Sequence, residues 1–289
     1  MEKITYWTIQ KMPELPEVQT VVNHIRPKII GKQLTTIIPI WGKTLHNFNK
    51  DDIHGIKNNN KIIDVYRRAK FIIIEFTDKI IAIHLRMTGK LYISKNSTYP
   101  KHATTVLEFD DNESLIFEDV RKFGRIYLYD DLKVINSKHG PEPLDKNFTV
   151  ELFKDMIKSK NRNIKALLLD QSFLSGLGNI YVDESLWESG IHPNSISSSI
   201  PVKKISTLHN KIQSILRNAI LKKGTTIIDF SVNGESGKYA NDLSIYGKNN
   251  KACFRCNSMI IKLKVAGRGT YACTKCQKKY DKKSTRVKC

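Results

Sequence analysis

No stretch of this chain approaches the roughly 20 consecutive apolar residues that a bilayer-crossing helix needs. The opening Met1 to Lys11 also lacks the apolar run of a secretory signal. Membrane-spanning and exported classes are set aside, and a cytoplasmic, nucleoid-associated protein is expected. Cysteine is sparse, five in 289 residues, and without an export signal disulfides are not expected. Acid is scarce as well: 28 Asp and Glu stand against 48 Lys and Arg, for a net charge of +20. Such a field attracts polyanions, nucleic acid foremost. From Lys248 to Cys289 thirteen lysines and arginines face one acid, Asp281. Lysine, isoleucine and asparagine recur everywhere, as in Lys57-Asn58-Asn59-Asn60-Lys61, so compositional drift stays open as the other account of the charge. The length suffices for two domains with real cores, and no internal repeat is present.

Four of the five cysteines are patterned. Cys253 and Cys256 form one Cys-x2-Cys pair and Cys273 and Cys276 another, sixteen residues apart. That spacing lets two turns each offer two thiolates to one tetrahedral Zn²⁺, with a hairpin between. Met259 to Val265 and Thr270 to Ala272 read as its strands, joined through Ala266-Gly267-Arg268-Gly269. Four thiolates leave no open coordination position, so one structural zinc is expected. Cys289 is the remainder, an incidental tail residue.

Periodicity divides the rest. Val18, Val21, Val22 and Ile25 recur at helical spacing, with Gly31 beyond. Strand runs follow at 34–40, 62–76, 80–85, 104–109, 114–118 and 125–129, with little helix between them, which implies a largely antiparallel β-sandwich or barrel. Gly140-Pro141-Glu142-Pro143 breaks that pattern. Helices are expected at 150–158, 164–170, 180–188 and 202–222, the last with Ile205, Leu208, Ile212, Ile215 and Ala219 on one face. The fold class is α+β. The expected divisions are an extension at 1–11, a β-rich domain at 12–139, a linker at 140–149, a helical domain at 150–247, the metal hairpin at 248–280 and a basic tail at 281–289.

Smaller constellations sit on this frame. Pro13-Glu14-Leu15-Pro16-Glu17 suits neither helix interior nor strand, since each proline removes a donor and fixes φ. It reads either as a kinked leader or, if Pro13 were the first residue, as a free secondary amine beside a carboxylate. An α-amino group, with a pKa of roughly 8, is in part uncharged and nucleophilic near neutral pH. Gly176-Leu177-Gly178-Asn179-Ile180 is a tight turn into a helix, either a phosphate cradle or a simple connection. Tyr66-Arg67-Arg68-Ala69-Lys70-Phe71 reads as cations within a strand that continues into the isoleucines. His84-Leu85-Arg86-Met87-Thr88-Gly89 ends a strand in a turn, and Met87 alone would pass as core filler. Asp119-Val120-Arg121-Lys122-Phe123-Gly124 places an arginine and an aromatic on a loop, as intercalation into a base stack requires, though a buried Phe fits too.

In this order, the motifs resemble those of the formamidopyrimidine-DNA glycosylases, bacterial enzymes that repair oxidised purines. The resemblance runs from Met12 to about Lys278 and includes Gly140-Pro141-Glu142-Pro143-Leu144 and Gly224-Thr225-Thr226. Leu15 matches this branch, whereas the sister endonuclease VIII branch typically has glycine there. The resemblance implies a β-sandwich domain, a helix–two-turn–helix domain with a zinc hairpin, and damaged double-stranded DNA as the partner of a monomer. It further implies that Pro13 attacks C1′ of a flipped nucleotide and Glu14 donates a proton. Lys70 would serve β-elimination, and Arg268 δ-elimination and a phosphate clamp. His84, His102, Arg121, Lys160 and Asn179 would contact DNA, and Met87, Arg121 and Phe123 would form the wedge that fills the vacated stack. The loop at 232–239 would be the lid over the flipped base.

Residues 1–11 match nothing in that family, and a misassigned upstream start is expected. Two other functions stay open: the same chemistry on oxidised pyrimidines, or non-catalytic binding of damaged DNA if the extension is retained.

Overall fold

The computed structural model describes residues 12–55, 60–95, 98–225, 231–232 and 235–281. The expected extension at 1–11 and the tail beyond Asp281, with Cys289, lie outside the described residues, as does part of the expected lid. Contacts divide the chain into two units, Met1–Asn136 with Ile220–Ala240, and Ser137–Ala219 with Asn241–Cys289. Ile220–Ala240, read from sequence as part of the helical domain, thus packs with the β-rich unit.

The first unit opens with helix α1 (Leu15–Ile29) and continues through β1 (Leu34–Ile38), β2 (Asp64–Arg68), β3 (Phe71–Glu75), β4 (Ile80–His84), β5 (Gly89–Ser94), β6 (Ala103–Phe109), β7 (Ser114–Asp119), β8 (Arg125–Tyr129) and the short α2 (Lys133–Asn136). Two four-stranded antiparallel sheets form, in the orders β1-β6-β7-β5 and β2-β3-β4-β8. The expected antiparallel sandwich is what the residues build. Period-2 alternation decides its core: Ile72, Ile74, Ile81 and Ile83 join Leu107, Leu115 and Phe117 of the other sheet, with Val18, Val22 and Ile25 of α1. Ile73, Ile80 and Ala82 point to the opposite face and meet Ile135 of α2.

That double burial corrects one expectation. The apolar run at 62–76 is two strands, not one, because Ala69 takes φ 53° and the chain reverses at Ala69–Lys70. Lys70 therefore sits on a tight turn rather than inside a strand. The strand β5 was not anticipated, although Leu91 and Ile93 alternate with polar residues along it.

After the short pair β9 (Ser231–Val232) and β10 (Glu235–Ser236), which belongs to the first unit, the second unit holds α3 (Val150–Lys158), α4 (Ile164–Leu169), α5 (Asn179–Ser189), α6 (Val202–Leu221) and the hairpin β11 (Ile261–Val265) with β12 (Arg268–Ala272). Ile220 and Leu221, the last two residues of α6, are grouped with the first unit. Helix α3 starts where Thr149 accepts the Leu152 amide, and Gly190 ends α5 in the left-handed conformation. Ala266 and Gly267, both at positive φ, make a two-residue hairpin turn. The turn is two residues shorter than expected, so Arg268 opens β12, opposite Val265. No described helix is long and apolar enough to cross a membrane.

Candidate active site

In the first unit, Pro13 and Glu14 are buried at the start of α1. A capping box holds them: the Glu14 carboxylate receives the Glu17 amide, and Glu17 Oε2 receives the Glu14 amide at 3.0 Å. Glu17 is itself buried, and its other oxygen accepts the Thr225 amide at 2.8 Å and the Thr225 hydroxyl at 2.9 Å. The Thr225 segment approaches so closely that a Cβ on Gly224 would lie 2.8 Å from that carboxylate. Sequence alone assigns Glu17 no role beyond the Pro13-Glu14-Leu15-Pro16-Glu17 run; in the fold it anchors the root of the expected lid. The signal was available, since an acid three residues into a helix led by an acid is capping-box spacing.

Helix α1 packs on β2 and β3, where Arg67 Nε donates to Gln19 at 3.1 Å and its NH1 holds the Ala69 carbonyl at 2.9 Å, fixing the turn that carries Lys70. His84 is buried at the end of β4, edge-on to its cross-strand partner Phe71, and its Nδ1 accepts the Arg86 amide at 3.0 Å.

Met87, Arg121 and Phe123 come together from two loops. The Arg121 guanidinium lies 4.7 Å from the Phe123 ring centroid and its NH1 is 3.3 Å from Met87 sulfur. Phe123 is 47% exposed, which rules out the buried-core reading for it. What joins the loops is Asp119, buried and given no role from sequence. It accepts the Thr88 hydroxyl, the Arg121 amide at 3.1 Å and the Gly124 amide at 2.7 Å. Gly124 is required there, since a Cβ would sit 2.3 Å from the Phe117 ring. The carbonyl of half-buried His102 receives the Asp119 amide. Asp119→Asn should lower the melting temperature by on the order of 5 °C, since an amide cannot accept all three donors. Calorimetry checks this, and an unchanged midpoint would mean the loops are held by other contacts.

In the second unit, Asn179 opens α5 and its Nδ2 donates to the Gly269 carbonyl at 2.9 Å, beside exposed Arg268. Asn179 Oδ1 is buried with no hydrogen-bond partner. Lys160 is exposed just beyond α3 and its carbonyl receives the Ser197 hydroxyl. Glu184 was missed from sequence. Burial pushes its carboxyl up from the ordinary range, while amides of Tyr246, Ile245 and Ser244 pull the other way and fix the chain entering the cysteine module.

Cys253, Cys256, Cys273 and Cys276 place their sulfurs within 4.8 Å of one another, a set able to hold a metal ion. Two of the separations are 3.8 Å and 3.4 Å, against about 3.8 Å between sulfurs of a tetrahedral Zn–S₄ centre with 2.3 Å bonds. All four are free thiols.

The family model for the formamidopyrimidine-DNA glycosylase N-terminal domain matches residues 12–126, and that for the family's H2TH domain matches residues 139–231. The formamidopyrimidine-DNA glycosylase of Lactobacillus acidophilus is 40% identical over 273 residues, 92% of this chain and 99% of that protein. The chain belongs to the formamidopyrimidine-DNA glycosylase family. The Protochlamydia amoebophila glycosylase of that name is 38% identical over 93% of this chain and all of its own length. Among solved structures, Lactococcus lactis Fpg in complex with abasic-site DNA matches with a TM-score of 0.83 and 36% identity over 92% of this chain and 100% of that one. A MutM complex with DNA containing carbocyclic 8-oxo-G matches equally well, with a TM-score of 0.83 and 36% identity, again over 92% of this chain and 100% of that one. Within this family the cysteine cluster is the zinc-finger element, and the formamidopyrimidine-DNA glycosylases are DNA-repair enzymes.

Proposed function

We propose that this glycosylase of base excision repair excises oxidised purines from duplex DNA through the secondary amine of Pro13, then cleaves the strand by β,δ-elimination. The observation that carries the reading is the capped start of α1, where Pro13 and the Glu14 carboxylate are buried together and held by Glu17.

The chemistry follows from those groups. With Pro13 as the first residue, its nitrogen attacks C1′ of the extruded nucleotide, the N-glycosidic bond breaks, and the base leaves with the bonding pair and takes up the proton the nitrogen loses. A secondary amine fits, because loss of the base and ring opening leave a cationic iminium that needs no further deprotonation at nitrogen. Glu14 supplies the proton that the departing sugar oxygen takes up. The iminium acidifies a C2′ hydrogen, whose loss expels the 3′ phosphate; the conjugated iminium that results acidifies the C4′ hydrogen, whose loss expels the 5′ phosphate and leaves a one-nucleotide gap. Lys70 serves the first elimination. Arg268, whose guanidinium can bind a phosphate through two parallel hydrogen bonds, serves the second. Met87, Arg121 and Phe123 fill the vacated stack; the Arg121–Phe123 contact supports this, because it presents an aromatic face and a cation side by side. His84, His102, Lys160 and Asn179 contact the backbone, with binding that weakens steeply with salt.

Cys253, Cys256, Cys273 and Cys276 hold one Zn²⁺, which supplies cross-linking rather than chemistry. The enzyme works as a monomer on cytoplasmic, nucleoid DNA. Leu15 is fully buried in α1, so the glycine expected of the oxidised-pyrimidine branch would leave a hole there.

Borohydride should trap the Pro13-started chain on duplex DNA with 8-oxoguanine opposite cytosine, the adduct mapping to Pro13. Glu14→Gln should still bind that duplex but lose excision by at least about 10²-fold. An adduct on Lys70, or faster nicking of thymine-glycol duplexes, would overturn the assignment.

A further inference from the structure

Three side chains of the second unit, those of Lys165, Asp183 and Thr270, meet where no solvent reaches. Lys165 of α4 and Asp183 of α5 are both 0% exposed in their side chains, with Nζ 2.6 Å from Oδ1. The same Nζ lies 2.7 Å from the Thr270 hydroxyl and 3.5 Å from the Gly269 carbonyl. Asp183 Oδ2 accepts the Tyr271 amide at 3.1 Å. One turn earlier on α5, Asn179 holds the same Gly269 carbonyl at 2.9 Å. Apart from the ion pair itself, every one of these bonds falls on the three residues of β12 that follow Arg268.

Apolar side chains of similar volume would pack as well here, and often better, because two charges must give up their water. What an ion pair adds is direction. An apolar contact lets a strand slide by a fraction of its repeat, whereas Lys165 and Asp183 grip a hydroxyl, a carbonyl and an amide whose positions are set along the strand. The hairpin needs that grip, since a two-stranded ribbon by itself is marginal. Its only turn residues, Ala266 and Gly267, put Arg268 at the first position beyond the tip. Helix α5 thereby fixes two groups with one set of contacts, Asn179 at its own N-terminus and Arg268 on the adjoining strand.

We propose that the buried Lys165–Asp183 pair is a positioning device that sets the register of β12 against α5, and so holds Arg268 where it can serve the second elimination. Neither residue touches DNA in this scheme; they act through Thr270, Gly269 and Tyr271. The inference rests on the reading of Arg268 given above. The surroundings agree with a pair kept dry: burial pushes the Asp183 carboxyl up to about 6, against the pull of Lys165 and the Tyr271 amide, and Glu184 alongside adds to the rise.

The test uses the whole chain beginning at Pro13. Thr270→Val removes the hydroxyl that Lys165 grips and keeps the ion pair. Lys165→Met with Asp183→Leu removes both charges together, so that neither is left buried alone. Arg268→Ala runs beside them. Each protein is measured for zinc content, borohydride trapping at Pro13, the ratio of δ- to β-elimination product, and hydrogen exchange at residues 268–272. Both test variants should keep one zinc and near-parental trapping, while the δ-to-β ratio falls about tenfold, toward that of Arg268→Ala, as misplacement of a catalytic group predicts. Thr270→Ser, which restores the hydroxyl, should restore the ratio, and a purely structural role would not single out one elimination step in this way. A parental ratio in both variants, with Arg268→Ala lowering it, overturns the proposal. If Arg268→Ala leaves the ratio unchanged, the role given to Arg268 fails. Exchange then decides the positioning itself: lost protection at Tyr271 in the double variant upholds it, and unchanged protection overturns it.

Discussion

Replacing Cys273 by serine should cost the protein its metal and its strand-nicking activity together, while the β-rich unit stays folded. Cys273 is buried at the end of β12, its sulfur 3.4 Å from that of Cys256. Its amide donates to Gln277 at 2.8 Å, and Gln277 in turn holds the Ile191 carbonyl. One cysteine thus joins the metal cluster, the strand carrying Arg268 and the loop after α5. Structural zinc contributes roughly 10–16 kcal/mol to small modules of this kind, more than a two-stranded hairpin can replace by packing. Serine is nearly the same size but a poor ligand, so what is lost is the bond to metal. Emission spectroscopy should find close to one zinc per parent chain and little in Cys273→Ser, with nicking of an abasic duplex down by about 10²-fold or more, as loss of a positioned catalytic group implies. Cys289→Ser, altering the cysteine outside the motif, should match the parent in both. Full nicking by protein that holds no metal would dispose of a structural zinc.

The residues proposed to carry the chemistry stood out in the sequence because their type and spacing are unusual in themselves. Proline twice in five residues and cysteine in two Cys-x2-Cys pairs have few purely structural uses. Helix ends were legible for a similar reason. Thr149 before 150–158 and Gly190 after α5 are residues whose local hydrogen bonding or φ ends a helix wherever it occurs. Burial is what a sequence conceals. Asp119, Glu17 and Asp183 look like surface acids, yet each is almost fully enclosed and binds at least one donor from a distant part of the chain. Their partners lie up to 208 positions away, as Thr225 does from Glu17, and no local pattern reports such a distance. The reversal at Ala69 was hidden differently. Isoleucines on both faces of β3 erased the alternation, and the turn uses an alanine at positive φ where glycine or asparagine would have marked it.

The second large effect concerns the nitrogen of Pro13. In the 289-residue chain that nitrogen belongs to the Met12–Pro13 peptide bond, a tertiary amide whose lone pair is delocalised into the carbonyl and cannot attack C1′. The surroundings suit the proposed amine: Pro13 is buried, Glu14 stands beside it, and a capping box with Glu17 fixes Glu14 at the start of α1. Two proteins separate the possibilities, one carrying residues 1–289 with its start verified by mass, the other begun at Met12 and processed to Pro13. The processed protein should form the borohydride adduct on abasic duplex DNA. The longer one should form none, with nicking lower by on the order of 10⁴-fold or more, the scale on which covalent enzymes suffer when the nucleophile is lost. Binding to the same duplex should fall far less, because phosphate contacts supply most of the affinity and none of them depends on the amine. Equal nicking by the longer protein, with residues 1–11 shown to be attached throughout, would refute the proline mechanism, since no other group in the capped start of α1 can form an iminium.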